Sequence, residues 1–414
     1  MSDGRPLRLF EGYGVELEYM IVRDDELALL PASDEILRGA AGAYVSDYEN
    51  GPVAWSNELV LHVIEIKTNG PAPSLAGCAE AFQKDLGQIE ALVAPLGGRL
   101  MGGAMHPFMD PLTDARLWPH DYSVVYEAYD RIHGCKGHGW ANLQSQHLNL
   151  PFGDDDEFGR LHAAIRPVLP LLPALAAASP VVEGRVTGML DNRLEVYRSN
   201  QRKTPLAAAR VIPEQAWTRA QYEERILQPL YRQVAPLDPD GVLQFEFLNS
   251  RGAIARFDRD AIEIRVLDVQ ECPAADIGIS LLASETIRAL ASERWAGLGE
   301  LQALEVDPLA ELLLATIRTA EETLVDDEAL LRVLGFPDTE GTAADVWRHL
   351  QEVLLPEPPR GLSRPHAAVR RILSHGTLAT RLVRALGGEP SRGRLVEVYG
   401  DVADCLREGR QFGV

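Results

Sequence analysis

Glutamates occupy the interior of several segments that are otherwise apolar and strand-like. Glu16 and Glu18 alternate with apolar residues in GVELEYMIV, so both carboxylates lie on one face of the expected strand. Glu65 lies within LVLHVIEIKT, and Glu263 lies within AIEIRVLDV on the same face as Arg265. A carboxylate in such a position is costly unless it is paired or binds a metal ion. The pattern therefore indicates a cluster of oxygen ligands for hard divalent cations.

Each of these glutamates, taken alone, equally fits the half-exposed face of a sheet. Lys67 and Arg265 can each neutralise one neighbour, which leaves most of the cluster uncompensated and self-repelling unless cations lie between the carboxylates. Glu58 opens the second strand and belongs to the same group. His147 in QSQHLNL would by itself be interpreted as a core histidine, but beside these glutamates it is a candidate metal ligand.

The usual phosphate-binding loops are missing from the sequence. It contains no GxxxxGK[ST], no strand-borne GxGxxG and no HExxH. A nucleotide would therefore be held mainly through metal ions and arginines, which neutralise charge on a transferred phosphoryl group. Arg193, Arg198 and Arg265 are candidates; an exposed salt bridge is the alternative for each, and it is preferred for Arg198.

The elements that must position these residues are strands mixed with helices in the first two-thirds of the chain. Strands are predicted over 12–22, 59–68, 98–105, 140–150, 242–249 and 261–269, with a polar turn at Arg251-Gly252 between the last two. Helices are predicted over 74–94, 121–132, 155–178 and 215–233, the last two interrupted by prolines. From residue 275 onward only helices are predicted, over 276–295, 308–324, 343–354, 365–386 and 394–408. This order predicts an α+β fold in one catalytic domain, with a sheet-bearing core (1–274) and a helical part (275–414) packed on it.

Composition restricts the class of partner. The 414 residues include 61 acidic and 40 basic side chains, a net charge of −21, which disfavours nucleic acid and anionic membranes as partners. Four widely spaced cysteines argue against a disulfide framework or a zinc ribbon. The first residues lack the apolar stretch of a signal peptide, and no apolar run is long enough to cross a bilayer. We therefore expect a cytoplasmic protein.

Ordered motifs over most of the chain carry a family resemblance. They are GVELEYMIV (14–22), NELVLHVIEIKT (57–68), QSQHLNLP (144–151), PLLPALAAASPVVEGRVTGMLDNR (170–193), AIEIRVLDVQ (261–270) and the closing DVADCLREGRQF (401–412). The chain resembles glutamate–cysteine ligase family 2, the bacterial carboxylate–amine ligases. The resemblance implies a glutamine synthetase-like fold, in which a curved, mostly antiparallel sheet forms a funnel with helices outside. It also implies ATP and Mg²⁺ as cofactors, and a homodimer.

Roles for individual residues follow from the same resemblance. One magnesium ion would be held by Glu16, Glu58 and Glu65, and another by Glu18, His147 and Glu263. Arg265 would stabilise the transferred γ-phosphoryl group or the substrate carboxylate, and Arg193 would contact phosphate or substrate. Apart from the resemblance, Gln146 and Arg198 are also predicted to bind ATP, Arg198 from its sequence position alone, which gives an ATP-binding set of Arg193, Arg265, Gln146 and Arg198.

The implied reaction joins a glutamate-like carboxylate, activated by ATP as an acyl phosphate, to an amine such as cysteine. Two departures from the family pattern bear on the substrates: Leu17 stands where many members have an acidic residue, and Asn149 stands where related enzymes often have a histidine. Two other hypotheses use the same residues. One is a non-catalytic descendant that binds a nucleotide or an amino acid, and the other is a two-metal hydrolase that needs no ATP.

Overall fold

An antiparallel sheet of eight strands lies at the centre of the computed structural model, which describes residues 5–413. The strand order is β2-β3-β4-β1-β6-β10-β9, and β5 also pairs with β1. Two further ladders, β7–β8 and β11–β12, are short. In chain order the strands are β1 (Gly14–Arg23), β2 (Asp47–Asn50), β3 (Val53–Asn57), β4 (Val63–Thr68), β5 (Gly98–Met101), β6 (Ser145–Pro151), β7 (Val181–Val182), β8 (Arg185–Val186), β9 (Ala253–Arg256), β10 (Ala261–Asp268), β11 (Leu324–Val325) and β12 (Gly341–Thr342).

Helices surround this sheet and make up most of the second part of the chain. Before β9 they are α1 (Ser33–Ala41), α2 (Cys78–Val93), α3 (Pro111–Asp114), α4 (Ser123–His133), α5 (His138–Ala141), α6 (Asp155–Ile165), α7 (Pro173–Ala176), α8 (Asn192–Tyr197), α9 (Arg219–Tyr222) and α10 (Gln228–Val234). After β10 they are α11 (Pro273–Ala291), α12 (Leu298–Ala303), α13 (Val306–Thr319), α14 (Glu328–Val333), α15 (Ala343–Leu354), α16 (Ser363–His375), α17 (Leu378–Leu386) and α18 (Arg392–Glu408).

The two faces of β1 have opposite characters. Leu17 and Tyr19 are fully buried in the main hydrophobic cluster, together with Phe82 of α2, Leu161 of α6 and Ile279 of α11. Each fully buried apolar side chain of this size contributes about 1.5–3 kcal/mol to folding. The apolar face therefore fixes the orientation of β1, and the glutamates that alternate with these residues must point to the other side of the sheet.

The helical second part packs directly on the sheet-bearing part. Helix α11 contacts α2 and α6 on one side and α16 on another. At Gly278 a Cβ atom would lie 2.4 Å from the carbonyl oxygen of Pro365, so the close approach of α11 and α16 requires glycine. Arg381 of α17 forms a buried ion pair with Glu271, at 2.7 Å. Within residues 5–413 we find no helix whose length and hydropathy would let it span a membrane.

The predicted α+β class is confirmed, and the strands expected at 12–22 and 261–269 are β1 and β10. The strand expected over 242–249 is wrong, because this segment is a turn followed by a short 3₁₀ helix, Glu246–Leu248. The Asp238 carboxylate accepts the backbone N–H groups of Val242 and Leu243, at 3.2 and 2.9 Å, and so diverts them from any ladder. The partner of β10 is instead β9, and the connection lies at 257–260 rather than at Arg251-Gly252.

One long helix expected over 365–386 is divided into α16 and α17. Gly376 separates them with a positive φ of 92°. The side chain of Thr377 then caps α17 by accepting the N–H of Thr380 at 3.3 Å. The prolines of 155–178 break that segment as expected, into α6, a 3₁₀ turn and α7.

Candidate active site

Three neighbouring strands place a histidine between two glutamates on the open face of the sheet. Glu16 of β1 lies directly opposite His147 of β6, and Nδ1 of His147 lies 2.9 Å from Oε2 of Glu16. Oε1 of Glu263, on β10, lies 3.9 Å from the same nitrogen. Burial alone would raise the pKa of Glu16, but the hydrogen bond and the charge of His147 outweigh it and lower the pKa to about 2. The three ligand atoms lie within 4.8 Å of one another, close enough to share one cation.

A second group forms on the other side of His147. Glu18 of β1 is the direct cross-strand partner of Glu65 of β4, an arrangement that is destabilising for like charges. Glu18, Glu65 and His147 again offer three ligand atoms within 4.8 Å. Burial raises the pKa of Glu65, Lys67 opposes that rise, and Glu16 and Glu18 add to it. Lys67 lies 3.0 Å from Glu65, so the pair is only partly compensated.

Glu58 adds a further carboxylate to this acidic group. Its Oε2 accepts a hydrogen bond from the backbone N–H of Leu59 at 3.3 Å, and it forms no ion pair with a basic side chain within residues 5–413. Burial, together with the charges of Glu18 and Glu65, raises the pKa of Glu58 well above its usual range. A carboxylate in this setting gains strongly from a nearby cation.

A β-bulge positions Arg265. The pairing of β10 with β6 shifts between Ile264 and Leu267, so two residues of β10 stand where one would continue the register. A bulge redirects side chains and is frequent beside active sites. Nε of Arg265 lies 2.9 Å from Glu263, and Arg256 of β9 lies 3.3 Å from the other oxygen of that carboxylate. Glu263 thus holds two guanidinium groups beside the acidic cluster.

Arg193 lies at the base of this arrangement. It is almost fully buried at the start of α8, and its Nε donates to Oδ1 of Asp268. Asp268 also accepts the backbone N–H of Ala178 at 2.8 Å and the hydroxyl of Ser179 at 2.9 Å. Ala178 and Ser179 of the ALAAASP motif therefore fix the orientation of Arg193 through their hydrogen bonds to Asp268.

Two cavities meet at the cluster. The polar cavity, of about 900 Å³, is lined by Glu16, Glu65, Lys67, Arg256 and Arg259 among others. The aromatic cavity, of about 430 Å³, is lined by six aromatic side chains and by Arg193. Both cavities share one set of residues, here named the junction: Glu18, Glu58, Tyr126, His147, Phe247 and Arg265. A group bound in one cavity can thus meet a group bound in the other across the carboxylates.

The structure brings eight of the ten predicted site residues to these cavities and leaves two outside. Gln146 points to the opposite face of β6, where Nε2 donates to the carbonyl oxygen of Asp276 at 2.8 Å and to Ser280 at 2.6 Å. Alternation along the strand gives this result, since its neighbour His147 faces the site. Arg198 is half-exposed and bonds Glu195 at 2.7 Å. Neither side chain lines the polar or the aromatic cavity, so neither is placed to contact a nucleotide there.

The metal groups also divide differently from the expected partition. Glu16 lies with His147 and Glu263, whereas Glu18 lies with Glu65 and the same histidine. Glu58 belongs to neither compact group. Glu16 and Glu18 nevertheless fall into separate groups, as the resemblance implies for two ions.

Sequence reasoning missed several residues that complete the site. Ser145 donates its backbone N–H and its hydroxyl to Glu18, at 2.8 and 2.9 Å, and its hydroxyl lies 2.9 Å from Nε2 of His147. Asn149 donates to Oε1 of Glu16 at 3.1 Å. Ser145 and Asn149 share the strand face of His147, so alternation in QSQHLNL could have identified both. Arg256 could have been found only from the correct β9–β10 hairpin.

Comparisons with known proteins place the sequence among its relatives. The model of glutamate-cysteine ligase family 2 matches residues 13–401. An uncharacterized protein of Archaeoglobus fulgidus is 38% identical over 312 residues, which cover 75% of this chain and 80% of that protein. A Nocardioides relative, whose name proposes a glutamate–cysteine ligase, is 34% identical over 150 residues, or 36% of this chain and only 35% of its own length.

Two solved structures share the fold. The Francisella tularensis glutamate–cysteine ligase in complex with AMP superposes with a TM-score of 0.59 at 14% identity, covering 95% of this chain and 88% of that one. A bifunctional glutathione synthetase from Pasteurella multocida gives a TM-score of 0.58 at 15% identity, covering 96% of this chain and 53% of that one.

Proposed function

Because the chain belongs to glutamate–cysteine ligase family 2, a family of ATP-dependent carbon–nitrogen ligases, we propose that it joins the γ-carboxylate of glutamate, or of a close analogue, to an amine through an acyl phosphate. The observation that carries this proposal is the meeting of a polar cavity, lined by both carboxylates and basic side chains, with an aromatic cavity at one junction. A phosphoryl donor in the first cavity, an acid at the junction and an amine in the second cavity would react where Arg265 and the carboxylates lie. Cytoplasmic location and a homodimer stay predictions from the sequence.

The polar cavity suits a triphosphate. Lys67, Arg256 and Arg259 line it, and Arg265 reaches it from the junction. Arginine forms paired hydrogen bonds with phosphate oxygens, and fixed cations stabilise charge that develops on a transferred phosphoryl group. Arg256 and Arg265 both form ion pairs with Glu263, which keeps the two guanidinium groups at the cavity before a ligand binds.

The donor set also suits magnesium ions. Carboxylate oxygens dominate the two compact groups, and the cross-strand contact of Glu18 with Glu65 is a repulsion that a cation between them would remove. Bound magnesium would supply charge neutralisation for the phosphates. Ser145 and Asn149 would orient the ligand oxygens of Glu18 and Glu16 through the hydrogen bonds described above.

The proposed chemistry has two steps. A carboxylate oxygen of the acid attacks the γ-phosphorus of ATP; the new O–P bond forms as the bond to the β,γ-bridging oxygen breaks, and ADP leaves. The amine nitrogen then attacks the acyl carbon, the C–N bond forms, and inorganic phosphate departs with the former carboxylate oxygen. The neutral amine nitrogen loses one proton in this step, and the departing phosphate accepts it. Arg265 stabilises the phosphoryl group in the first step, and Arg193 orients the acid from the aromatic cavity.

The test is release of ADP from ATP with magnesium, L-glutamate and a panel of amines, with the product identified by mass spectrometry. Arg265→Gln should lower kcat by about 10²-fold or more, because one preorganised charged donor contributes at least that much. The variant should still fold, since Arg256 remains beside Glu263. Arg198→Gln, outside both cavities, is the matched control. Lack of ADP with every amine, ammonia included, would refute the ligase proposal.

A further inference from the structure

The aromatic cavity has walls from four separate segments. Helix α4 and the residue before it contribute Tyr122, Val125, Tyr126 and Tyr129, which follow one another at helical spacing on one face. The remaining rings come from α5, α8 and the short 3₁₀ helix before β9, and they are Trp140, Tyr197 and Phe247. Aromatic side chains from such distant positions converge on one space of about 430 Å³, which is the size of a small-molecule site.

Hydrogen bonds hold two of these rings in place. The hydroxyl of Tyr126 accepts Nδ2 of Asn57 at 3.0 Å, and Nε1 of Trp140 donates to the carbonyl oxygen of Asn200 at 3.2 Å. Rings fixed in this way form a preorganised wall, which loses little entropy when a ligand binds. The hydroxyl of Tyr197 is buried and has no hydrogen-bond partner in the part of the chain described.

Charge is confined to one end of the cavity. Glu18, Glu58, His147 and Arg265 belong to the junction, and the guanidinium of Arg193 lies near the carbonyl oxygen of Arg265, at 3.4 Å. A short acid with charged groups at both ends matches this end, because the arginines pair with carboxylates. Against the aromatic walls the same acid would lose hydration without compensation. The walls instead suit an apolar body, and aromatic faces beside a carboxylate also attract an ammonium group.

Resting on the proposed ligase activity, we infer that the acceptor amine carries an aryl or similarly bulky apolar group, which the aromatic cavity binds. A small amine would leave most of the cavity hydrated and its rings uncovered. An aryl group covers them while its nitrogen reaches the junction.

Paired amines test this inference directly. With ATP, magnesium and L-glutamate fixed, kcat/KM is measured for 2-phenylethylamine against ethylamine and for L-phenylalanine against L-alanine. Burial of one ring predicts a preference of about 10- to 100-fold for the aryl member of the better pair. Equal rates, or faster turnover of the small amines, would overturn the inference while leaving the ligase proposal intact. The ligase proposal itself fails only if no amine supports ADP release.

A non-reactive amine separates this cavity from the nucleotide site. N,N-dimethyl-2-phenylethylamine has no N–H to lose and cannot form a stable amide, so it should inhibit competitively against the amine and not against ATP. Competition against ATP would mean that the aromatic cavity takes the nucleotide base, and the inference would be wrong. This measurement uses the wild-type protein and needs no variant to fold.

Variants locate the preference in named rings. Trp140→Ala should reduce the aryl preference about tenfold or more and leave the KM for ATP unchanged. Tyr129→Phe keeps the ring and should keep the preference. An unchanged preference in Trp140→Ala, with a wild-type melting temperature, would count against the cavity as the amine site.

Discussion

Replacing Glu65 by glutamine tests the acidic cluster with the least disturbance of the fold. The change removes one charge and keeps the shape of the side chain. Lys67 does not lose its partners, because it also lies 3.0 Å from Asp47 and donates to Ser56 at 2.8 Å. The pKa of Glu65 is raised by burial, so neutralising this group removes an unfavourable charge from the metal-free protein. We expect the metal-free variant to be at least as stable as the wild type.

The Glu65→Gln substitution should instead destabilise the metal-bound state. The ligand atoms of Glu18, Glu65 and His147 lie within 4.8 Å of one another. A cation between them would therefore be about 4 Å or less from the carboxylate charge of Glu65 that the substitution removes. At that distance each unit of charge on the divalent cation contributes about 4 kcal/mol with an effective dielectric constant near 20, and one such unit sets the lower limit of the effect. That energy corresponds to a loss of roughly a thousandfold in kcat/KM at fixed magnesium.

The assay is ADP release over a magnesium titration, beside thermal unfolding of the metal-free proteins. Glu49→Gln, an exposed glutamate on the edge strand β2, is the matched control and should behave as the wild type. If Glu65→Gln kept activity within about threefold at every magnesium concentration, Glu65 would not be a metal ligand and the electrostatic reasoning would fail.

Three further predictions concern stability. Asp268→Asn should lower the free energy of unfolding in urea by about 3–5 kcal/mol, because Arg193 remains buried without its charge partner. Burial, together with the charge of Arg166, lowers the pKa of His162 to about 3. The stability contributed by the neutral histidine is therefore complete above pH 6.5 and is lost as the pH falls towards 3. Between pH 6 and 4, the free energy of unfolding measured in urea should therefore fall more steeply for the wild type than for His162→Phe. The difference in slope should be up to about 1.4 kcal/mol per pH unit. Removal of magnesium with EDTA should lower the melting temperature, since saturation at about 100 times Kd adds about 2.7 kcal/mol.

Each of these three predictions has a result that would contradict it. Glu195→Gln breaks the exposed pair with Arg198 and should cost less than about 1 kcal/mol, so an equal effect for Asp268→Asn would contradict the buried-pair explanation. Parallel pH profiles for the wild type and His162→Phe would mean that this histidine is protonated in the folded protein. A melting temperature insensitive to magnesium in the wild type would argue against occupied metal groups.

Alternation made the centre of the site predictable. The sequence of β1 and of β10 has apolar residues on one face and carboxylates on the other, and burial of Leu17 and Tyr19 leaves the glutamates no other direction. The same rule excludes Gln146 from the site, so that error came from treating a motif as a unit instead of following the strand.

Other features depend on interactions that no local pattern contains. Strand β2, with the sequence DYEN, has none of the β-branched residues that mark a strand, and it forms only because β3 pairs with it. The segment 242–249 has strand-like residues, but the N–H groups of Val242 and Leu243 bond to Asp238. The β-bulge beside Arg265 and the arrival of Arg256 depend on register, which is set by tertiary pairing.

Strand β1 has apolar residues on one face and glutamates on the other, and this difference makes an error in its register costly. A slip of one residue in its pairing would place Glu16 and Glu18 against the leucines and phenylalanines of α2 and α6, and would expose Leu17 and Tyr19. Such a chain would lose the same apolar contacts that hold the helices on the sheet. A folded protein with a displaced acidic cluster is therefore strongly disfavoured. The contacts that stabilise the fold are the same ones that fix the positions of the glutamates. Inactive yet stable molecules should arise from altered side chains rather than from misaligned strands.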